Sequence, residues 1–378
     1  MVVMGIDCGQ LQHRYCVVDE AGRVVAEGGF EEKRSSLQEL RQRMEGYGRV
    51  RVVMEASGSY WQNLRAECAE WGWEALAVNP QRAAQFARLE SPRHKTDKAD
   101  ARALARLGLG DVQGSFGSGP AVTLAHALAG AIEERARVQN RLHSLLVVAN
   151  PAIVWCRWKL NAPRTLAVLK AYPTSLQLCR ARGLARVRFG TRGVVGRRAA
   201  EALQEASREA LCGAVNEAHG AQVGFLVEQI NRWSGEIVRL ERELERRLPE
   251  AKRLCSVLGV GKRTALIVYA CVPFAQLRSA KQAAAFAGLH PHLFQSGQHS
   301  YARLSKRGDA VVRTALYRAA LPAVVHNPRL AEFYQRLRDR DKTPKQALCA
   351  VAHKLIRICF ALVKTQTTFS LTYAPDLP

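Results

Sequence analysis

Paired cysteines at metal or redox spacing are absent from this chain of 378 residues. Its ten cysteines are scattered, without a CxxC pair or a zinc-ligand spacing. This absence argues against a disulfide framework and indicates buried or free thiols in a reducing cytoplasm. Long hydrophobic runs are also absent, because Asn150 and Pro151 interrupt the longest apolar stretch, residues 145–155. Since a charged residue, Asp7, follows after only six residues, we expect neither a signal peptide nor a spanning helix.

Acidic residues are scarce, since 33 Asp and Glu stand against 56 Lys and Arg, which gives a net charge of +23. Such an excess favours nucleic acid as the partner. The alternative is a basic protein that binds acidic surfaces or membranes without specificity. Four acids stand out in this basic background: Asp7 in MGIDCG, Glu55 in VVMEASG, and Asp97 and Asp100 in KTDKADARALA.

The residues around these acids predict an α/β domain over residues 1–112. Apolar patterning predicts strands over 2–6, 14–19, 23–27, 52–54 and 75–78, and helices over 36–45 and 60–70, with two more helices to about residue 107. Three hairpin strands followed by alternating helix and strand indicate an α/β layer of the ribonuclease H type. In such a layer the first two acids end neighbouring strands, and the last two share one helix face.

Clustered carboxylates repel one another unless a cation lies among them, and Mg²⁺ prefers oxygen ligands of this kind. The four acids, Asp7, Glu55, Asp97 and Asp100, are therefore a predicted Mg²⁺ site for phosphate chemistry. Taken singly, each has a plainer interpretation. Asp7 can cap a turn, and Asp97 after a threonine can simply favour a helix N-terminus.

Residues 113–250 predict a helical and coiled-coil region. Apolar residues recur at alternating steps of three and four, which is the pattern of a coiled-coil seam: Val223, Leu226, Ile230, Trp233, Ile237, Leu240 and Leu244. An earlier, less regular stripe covers residues 124–145. We interpret the seam as an arm that dimerises or spaces two catalytic domains. An intramolecular helical hairpin is the alternative.

Seven arginines lie between the two stripes, within residues 180–198. This arginine strip consists of Arg180, Arg182, Arg186, Arg188, Arg192, Arg197 and Arg198. In a basic chain it favours contact with a nucleic-acid backbone, above all by Arg186, Arg188, Arg197 and Arg198. A solvated basic surface is the other interpretation.

Near the start of the predicted C-terminal domain, residues 251–378, the segment LCSVLGVGKRTALIVYA (residues 254–270) contains Gly261-Lys262 but is not a P-loop. Ser256 stands where the first glycine is needed, and Arg263 follows the lysine in place of Ser or Thr. The turn of residues 259–261 instead resembles a helix-hairpin-helix, whose exposed amides, with Lys262 beside them, can hold a nucleic-acid phosphate.

Further along, FAGLHPHLFQSGQHSYARLSKRGDAVVRTALYRAA places Ser296 in a predicted Gln-Ser-Gly turn. An exposed hydroxyl there is a candidate nucleophile, although a turn serine is ordinarily structural. Four basic residues follow that can bind a phosphate in front of this serine: Arg303, Lys306, Arg307 and Arg313. Its competitors for the role are Ser300, Ser305 and Tyr301. His290 and His292 lack a third ligand and are interpreted as loop or core residues.

The motifs GID, MEASGSY, Asn79-Pro80 and KTDKADA resemble the DEDD domain of insertion sequence 110 family transposases. The segments CSVLGVGKRTA, FAGLHP, QSG and LSKRGDAVVRTALY resemble the carboxy-terminal transposase domain of the same family. The resemblance covers residues 1–110 and 250–365, and residues 150–215 carry no motif that we can place. It implies a ribonuclease H-like (RuvC-like) fold, Mg²⁺ at the four acids and a serine nucleophile at Ser296. It also implies a structured guide RNA, called a bridge or seeker RNA, that pairs with donor and target DNA.

The expected protein is thus an RNA-guided DNA transposase with a RuvC-like α/β domain, a helical middle and a mostly α C-terminal domain. We expect it in the cytoplasm of a bacterium or archaeon, associated with the nucleoid, as a dimer or tetramer and without a membrane partner. Two alternatives remain open. One is a metal-dependent or junction-resolving nuclease that uses water, and the other is a silent nucleic-acid binding protein.

Overall fold

The computed structural model describes residues 1–56, 60–90, 96–110, 112, 119–211, 214–296, 299–305 and 308–370. Contacts divide the chain into two units, one formed by Met1–Ala125 and Leu244–Pro378, and the other by His126–Glu243. The first and last parts of the chain thus belong to one unit. The predicted division into three domains, at residues 112 and 250, stays a prediction.

A five-stranded mixed sheet forms the core of the N-terminal part. Its strands are β1 (Val2–Cys8), β2 (Gln12–Val18), β3 (Val24–Glu31), β4 (Val50–Glu55) and β5 (Glu74–Val78). Their order across the sheet is β3-β2-β1-β4-β5. The first three strands pair antiparallel, whereas β4 pairs parallel with β1 and β5 pairs parallel with β4. The α/β domain with an initial three-strand meander, predicted from the apolar pattern, is confirmed.

Helices cover both faces of this sheet: α1 (Arg34–Met44), α2 (Trp61–Glu70), α3 (Pro80–Glu90) and α4 (Asp97–Leu107). Successive residues of a strand point to opposite faces. Even-numbered residues of β1, such as Met4 and Ile6, are buried with Leu40 and Leu64 of α1 and α2. Val3 lies in the other core cluster, with residues of α4. Odd-numbered residues of β1 therefore face α4.

The second unit contains most of two long helices, α5 (Pro120–Ala149) and α10 (Ala214–Arg247). Between them lie α6 (Pro151–Trp155), α7 (Pro163–Ala171), α8 (Ser175–Arg180), a 3₁₀ helix (Leu184–Arg186), strands β6 (Arg188–Phe189) and β7 (Gly193–Val194), and α9 (Arg197–Arg208). The seam residues Val223, Leu226 and Ile230 are buried in one cluster with Leu142 and Leu146 of α5. Because these residues are covered within a single chain, this part of the seam supports the intramolecular alternative.

The C-terminal part consists mainly of helices. It contains a 3₁₀ helix (Pro249–Ser256), α11 (Lys262–Cys271), α12 (Ala280–Phe286), β8 (Pro291–Ser296), β9 (His299–Leu304), α13 (Ala310–His326), α14 (Pro328–Arg338) and α15 (Pro344–Thr365). The antiparallel β8–β9 hairpin was not expected from the sequence. By length and composition α15 is apolar enough to cross a membrane. Its residues Leu355, Ile356 and Cys359 are fully buried, so that apolar face belongs to the protein core.

Candidate active site

Asp7 and Glu55 lie side by side at one end of the sheet. Ile6 of β1 pairs with Met54 of the parallel strand β4, and the two acids are the next residues of these strands. Both side chains are half-buried. Asp7 is an odd-numbered residue of β1 and therefore points to the same face as Val3. Glu55 lies two residues after Val53 in β4, so it points to the same face as Val53, which is buried there. The two carboxylates therefore leave the sheet on the face that α4 covers.

Two glycines show how α4 brings its acids to the same end. A Cβ on Gly5 would lie 2.1 Å from the carbonyl oxygen of Ala101, and a Cβ on Gly108 would lie 2.5 Å from Val3. The helix thus runs antiparallel to β1, with its first turn beyond Gly5 in the direction of Asp7. Asp97 and Asp100 both lie in that first turn, where the Thr96 hydroxyl accepts a hydrogen bond from the Ala99 amide.

The four acids approach one end of the sheet without closing into a tight cluster. Among the described residues, no three of these carboxylates have oxygen atoms that all lie within 4.8 Å of one another. Burial, followed by the negative charges of Asp7, Cys68, Glu32 and Glu55, raises the pKa of Cys8 to about 12. The neighbouring negative charge thus adds to the effect of burial. Hard oxygen donors on β1, β4 and α4 suit a divalent cation, which would offset the repulsion between these carboxylates.

Basic residues surround the acids, although none of them stood out in the sequence. Lys98 and Arg102 of α4 pair with Glu27 of β3 at 2.6 and 3.2 Å. Arg14 of β2 stands directly across from Asp7 in the antiparallel ladder. The sequence alone did not indicate this neighbour, because the pairing depends on the register of β1 against β2.

Ser296 is the last residue of β8, and its backbone pairs with His299 at the start of β9. It thus belongs to a strand end and not to an isolated turn. Arg303 belongs to β9, as do the competing candidates Ser300 and Tyr301. The side chains of residues 292–303 lie outside the described part of the structure, and Lys306 and Arg307 lie outside it entirely.

Two other predicted phosphate contacts have protein partners. Lys262, the first residue of α11, forms an ion pair with Glu245 at 2.8 Å. The Arg313 guanidinium donates to the carbonyl oxygens of Ala287 and Gly308 at 3.5 and 3.4 Å. Gly259 adopts a φ of +101°, and a Cβ there would lie 2.5 Å from Ala323 of α13. The predicted hairpin turn therefore packs closely against α13, in addition to any contact with phosphate.

The arginine strip lies on the surface of the second unit, and all seven of its side chains are exposed. Apolar residues of the same segment, including Leu184 and Val195, are buried in the core of that unit. Arg197 forms an ion pair with Glu201 at 2.9 Å. In the part of the chain that the structure describes, it is the one member of the strip with an ion pair.

Comparisons with known proteins agree with this architecture. A family model for DEDD-type IS110 enzymes, described as "Transposase", matches residues 4–151. A second, described as "Transposase IS116/IS110/IS902 family", matches residues 251–335. The pilin gene-inverting proteins of Moraxella bovis and Moraxella lacunata are each 24% identical over 335 residues, which is 85% of this chain and 82% of the relative. The transposase for insertion sequence element IS1111A of Coxiella burnetii is 33% identical over 125 residues, 32% of this chain and 34% of the relative.

The α/β domain with its acids, followed by a helical remainder, defines a DNA recombination or transposition enzyme of the DEDD type. Such a domain implies the use of a divalent metal ion. More particularly, models for both domains of the IS110 family of transposases match this chain in order, at residues 4–151 and 251–335. Residues 152–250, which include the arginine strip, lie between the two matched regions.

Proposed function

We propose that this transposase cuts and rejoins DNA strands through a phosphoserine intermediate, guided by a structured RNA. The observation that carries the proposal is the placement of Asp7 and Glu55 on adjacent strand ends, on the face that the acidic end of α4 covers. Acids so placed suit phosphodiester chemistry and not a purely structural domain. The name of the Moraxella relatives, pilin gene-inverting protein, supports a recombination reaction.

Asp7, Glu55, Asp97 and Asp100 would hold the metal ion, for which Mg²⁺ is the proposed identity. When bound, Mg²⁺ supplies charge stabilisation to the non-bridging and leaving oxygens of a phosphodiester. The half-buried positions of Asp7 and Glu55 limit the water around that charge and strengthen the interaction. Oxygen donors on three separate elements also fix the position of the reacting phosphate relative to the sheet.

In the proposed reaction the hydroxyl of Ser296 attacks a DNA phosphate. An Oγ–phosphorus bond forms as the bond from phosphorus to the 3′-oxygen breaks, and the hydroxyl proton is transferred overall to that oxygen. The products are a 5′-phosphoserine and a free 3′-hydroxyl. A 3′-hydroxyl of a second strand then reverses the step and releases the serine. Since one phosphodiester is exchanged for another, no nucleotide is consumed.

The partners in this proposal are donor DNA, target DNA and a non-coding guide RNA, bound by a dimer or tetramer of the chain. Base pairing supplies the sequence specificity. The protein supplies positive charge, through the exposed arginine strip and through Arg303, Lys306, Arg307 and Arg313 near the serine. Lys262 is proposed to contribute at the start of α11 when its pairing with Glu245 opens.

The test uses the chain with Mg²⁺, the transcript encoded beside its gene and DNA that spans the ends of the element. Wild type is expected to form a DNA-linked protein band on a denaturing gel. Ser296→Ala should lose both cleavage and that band, because the attacking oxygen is gone. Asp7→Asn should also lose both, because one carboxylate of the metal site is removed.

Ser300→Ala is the matched control, since it removes the same atom from the neighbouring strand and should keep the adduct. An adduct that survives in Ser296→Ala would assign the nucleophile to another residue. Cleavage by wild type without any trapped adduct would favour the nuclease that uses water. Unchanged cleavage by Asp7→Asn would remove the basis of the acidic site.

A further inference from the structure

Arg14 lies beside the acidic site on the same face of the sheet. It is directly opposite Asp7 in the β1–β2 ladder, and opposite residues of an antiparallel pair share a face. Its side chain is exposed. Together with Thr96 and Asp97 at the start of α4, it lines an open pocket of about 450 Å³. A cationic side chain of β2, Arg14, and one of the four acids, Asp97, therefore line the same pocket.

A glycine on the next strand makes room for this arginine. Gly29 of β3 is the register partner of Arg14. A Cβ on Gly29 would lie 2.8 Å from Nη1 of Arg14 and 3.3 Å from its Cδ. The arginine side chain thus crosses β3 at a position that a larger residue would obstruct. Gly29 thus leaves room for the guanidinium to lie over β3 beside the pocket.

The charges around the pocket leave Arg14 available to an anion. Lys98, which also lines the pocket, pairs with Glu27. Within the described residues, the side chain of Arg14 makes no hydrogen bond or ion pair. A guanidinium presents a planar fork of donors that matches a phosphate. The one carboxylate of the pocket without a described cationic partner is Asp97, which belongs to the proposed metal site.

We propose that Arg14 binds a backbone phosphate of the DNA strand that enters the acidic site, and that this contact forms only when a divalent metal is bound. The inference rests on the proposed function, because the metal must neutralise Asp97 before a phosphate can approach it. Without metal, Asp97 repels the phosphate. With metal, Arg14 and the ion attract neighbouring phosphates of one strand, which sets its path across the sheet.

The test measures the salt dependence of binding of a fluorescein-labelled DNA duplex to the full chain by fluorescence anisotropy, in MgCl₂ and in EDTA. In MgCl₂, Arg14→Ala should reduce the slope of log affinity against log salt by about 0.9, the amount that one neutralised phosphate contributes. In EDTA the same variant should match wild type. Arg14→Lys should restore most of the slope, because the charge is retained.

Arg23→Ala is the matched control, since Arg23 is an exposed arginine of the same meander that pairs with Asp19 at 2.9 Å. It should leave both slopes unchanged. Equal slopes for wild type and Arg14→Ala in MgCl₂ would overturn the proposal. So would an equal reduction in MgCl₂ and EDTA, which would make Arg14 an ordinary surface charge. Failure of the proposed function would be detected in a different measurement, as a missing DNA-linked protein band. The two failures can be distinguished, because the salt dependence of binding is measured without cleavage.

Discussion

At the scale of single residues, the proposed chemistry of this protein depends on which side chains share one face of the sheet. The sequence predicted the four acids correctly as residues of strand ends and of one helix face. It did not show Arg14 as their neighbour, since that depends on the register of β1 against β2. It also did not show Gly5 as a contact point, because a glycine in a strand pattern does not reveal which helix will lie against it.

His13 provides a pH-dependent test of the packing next to the acidic site. Its side chain is fully buried against Phe30, and neither ring nitrogen has a hydrogen-bond partner among the described residues. Burial lowers the pKa of His13, although Glu32 at 4.0 Å opposes this change. The folded protein therefore holds this histidine neutral at a pH where the unfolded chain is already protonated.

The unfolded state thus binds more protons, and the free energy of unfolding should fall as pH decreases below about 6.5, the usual value for histidine. The slope for one proton approaches about 1.4 kcal/mol per pH unit. His13→Phe should remove this contribution, which urea unfolding over a pH series measures. His353, whose pKa burial also lowers, is present in both proteins and cancels in the difference. Identical pH profiles would show that His13 does not titrate differently on folding.

At the scale of elements, short apolar runs predicted the first five strands within a few residues of their observed ends. The β8–β9 hairpin was not predicted, because the apolar residues of PHLFQSGQHSYARL do not alternate regularly with polar ones. The seam of α10 shows a different limit. The same heptad pattern can be buried against a second chain or against α5, and only the folded chain shows that Val223 and Ile230 pack with Leu142.

The position of α4 on the sheet can be tested through Gly5. A Cβ there would lie 2.1 Å from the carbonyl oxygen of Ala101 and 2.2 Å from the amide of Ala105, and both are backbone atoms that cannot rotate away. Gly5→Ala should therefore destabilise the protein by at least about 1–3 kcal/mol, the usual range for overpacking. Urea unfolding would measure the change.

Gly46→Ala is the control for this substitution, because a Cβ on Gly46 meets no atom within 4 Å. Its unfolding midpoint should stay close to that of wild type. A displaced α4 also moves the first turn that carries Asp97 and Asp100, so Gly5→Ala should weaken Mg²⁺ binding in calorimetry as well. Equal midpoints for the two variants would mean that α4 does not rest on Gly5.

At the scale of the whole molecule, the chain carries a net charge of +23, and the four acids Asp7, Glu55, Asp97 and Asp100 stand out against this positive background. The acids belong to one unit and the arginine strip to the other. In the proposed function a metal ion would neutralise the acids locally, whereas the arginines would act over a wide surface on any phosphate backbone. The proposal thereby assigns chemistry and general affinity to different parts of the chain, and the two should respond to different substitutions.

The strip predicts a steep salt dependence of nucleic-acid binding. Alanine at Arg186, Arg188, Arg197 and Arg198 together should flatten the slope of log affinity against log salt, by about 0.9 for each duplex phosphate that the variant no longer neutralises. Arg197 should contribute least, because Glu201 already pairs with it at 2.9 Å. Fluorescence anisotropy with a labelled duplex at several salt concentrations measures the slope.

A control with the same reduction of charge separates local phosphate binding from net charge. Arg329, Arg336, Arg340 and Lys345 are four exposed cations of the C-terminal part. Their joint replacement by alanine lowers the net charge equally but should change the slope much less, because the Debye length at physiological salt is only about 8 Å. If both quadruple variants flatten the slope by the same amount, affinity follows total charge and the strip is a solvated basic surface. If only the strip variant does so, the phosphate-binding residues lie in the region between the two matched family domains.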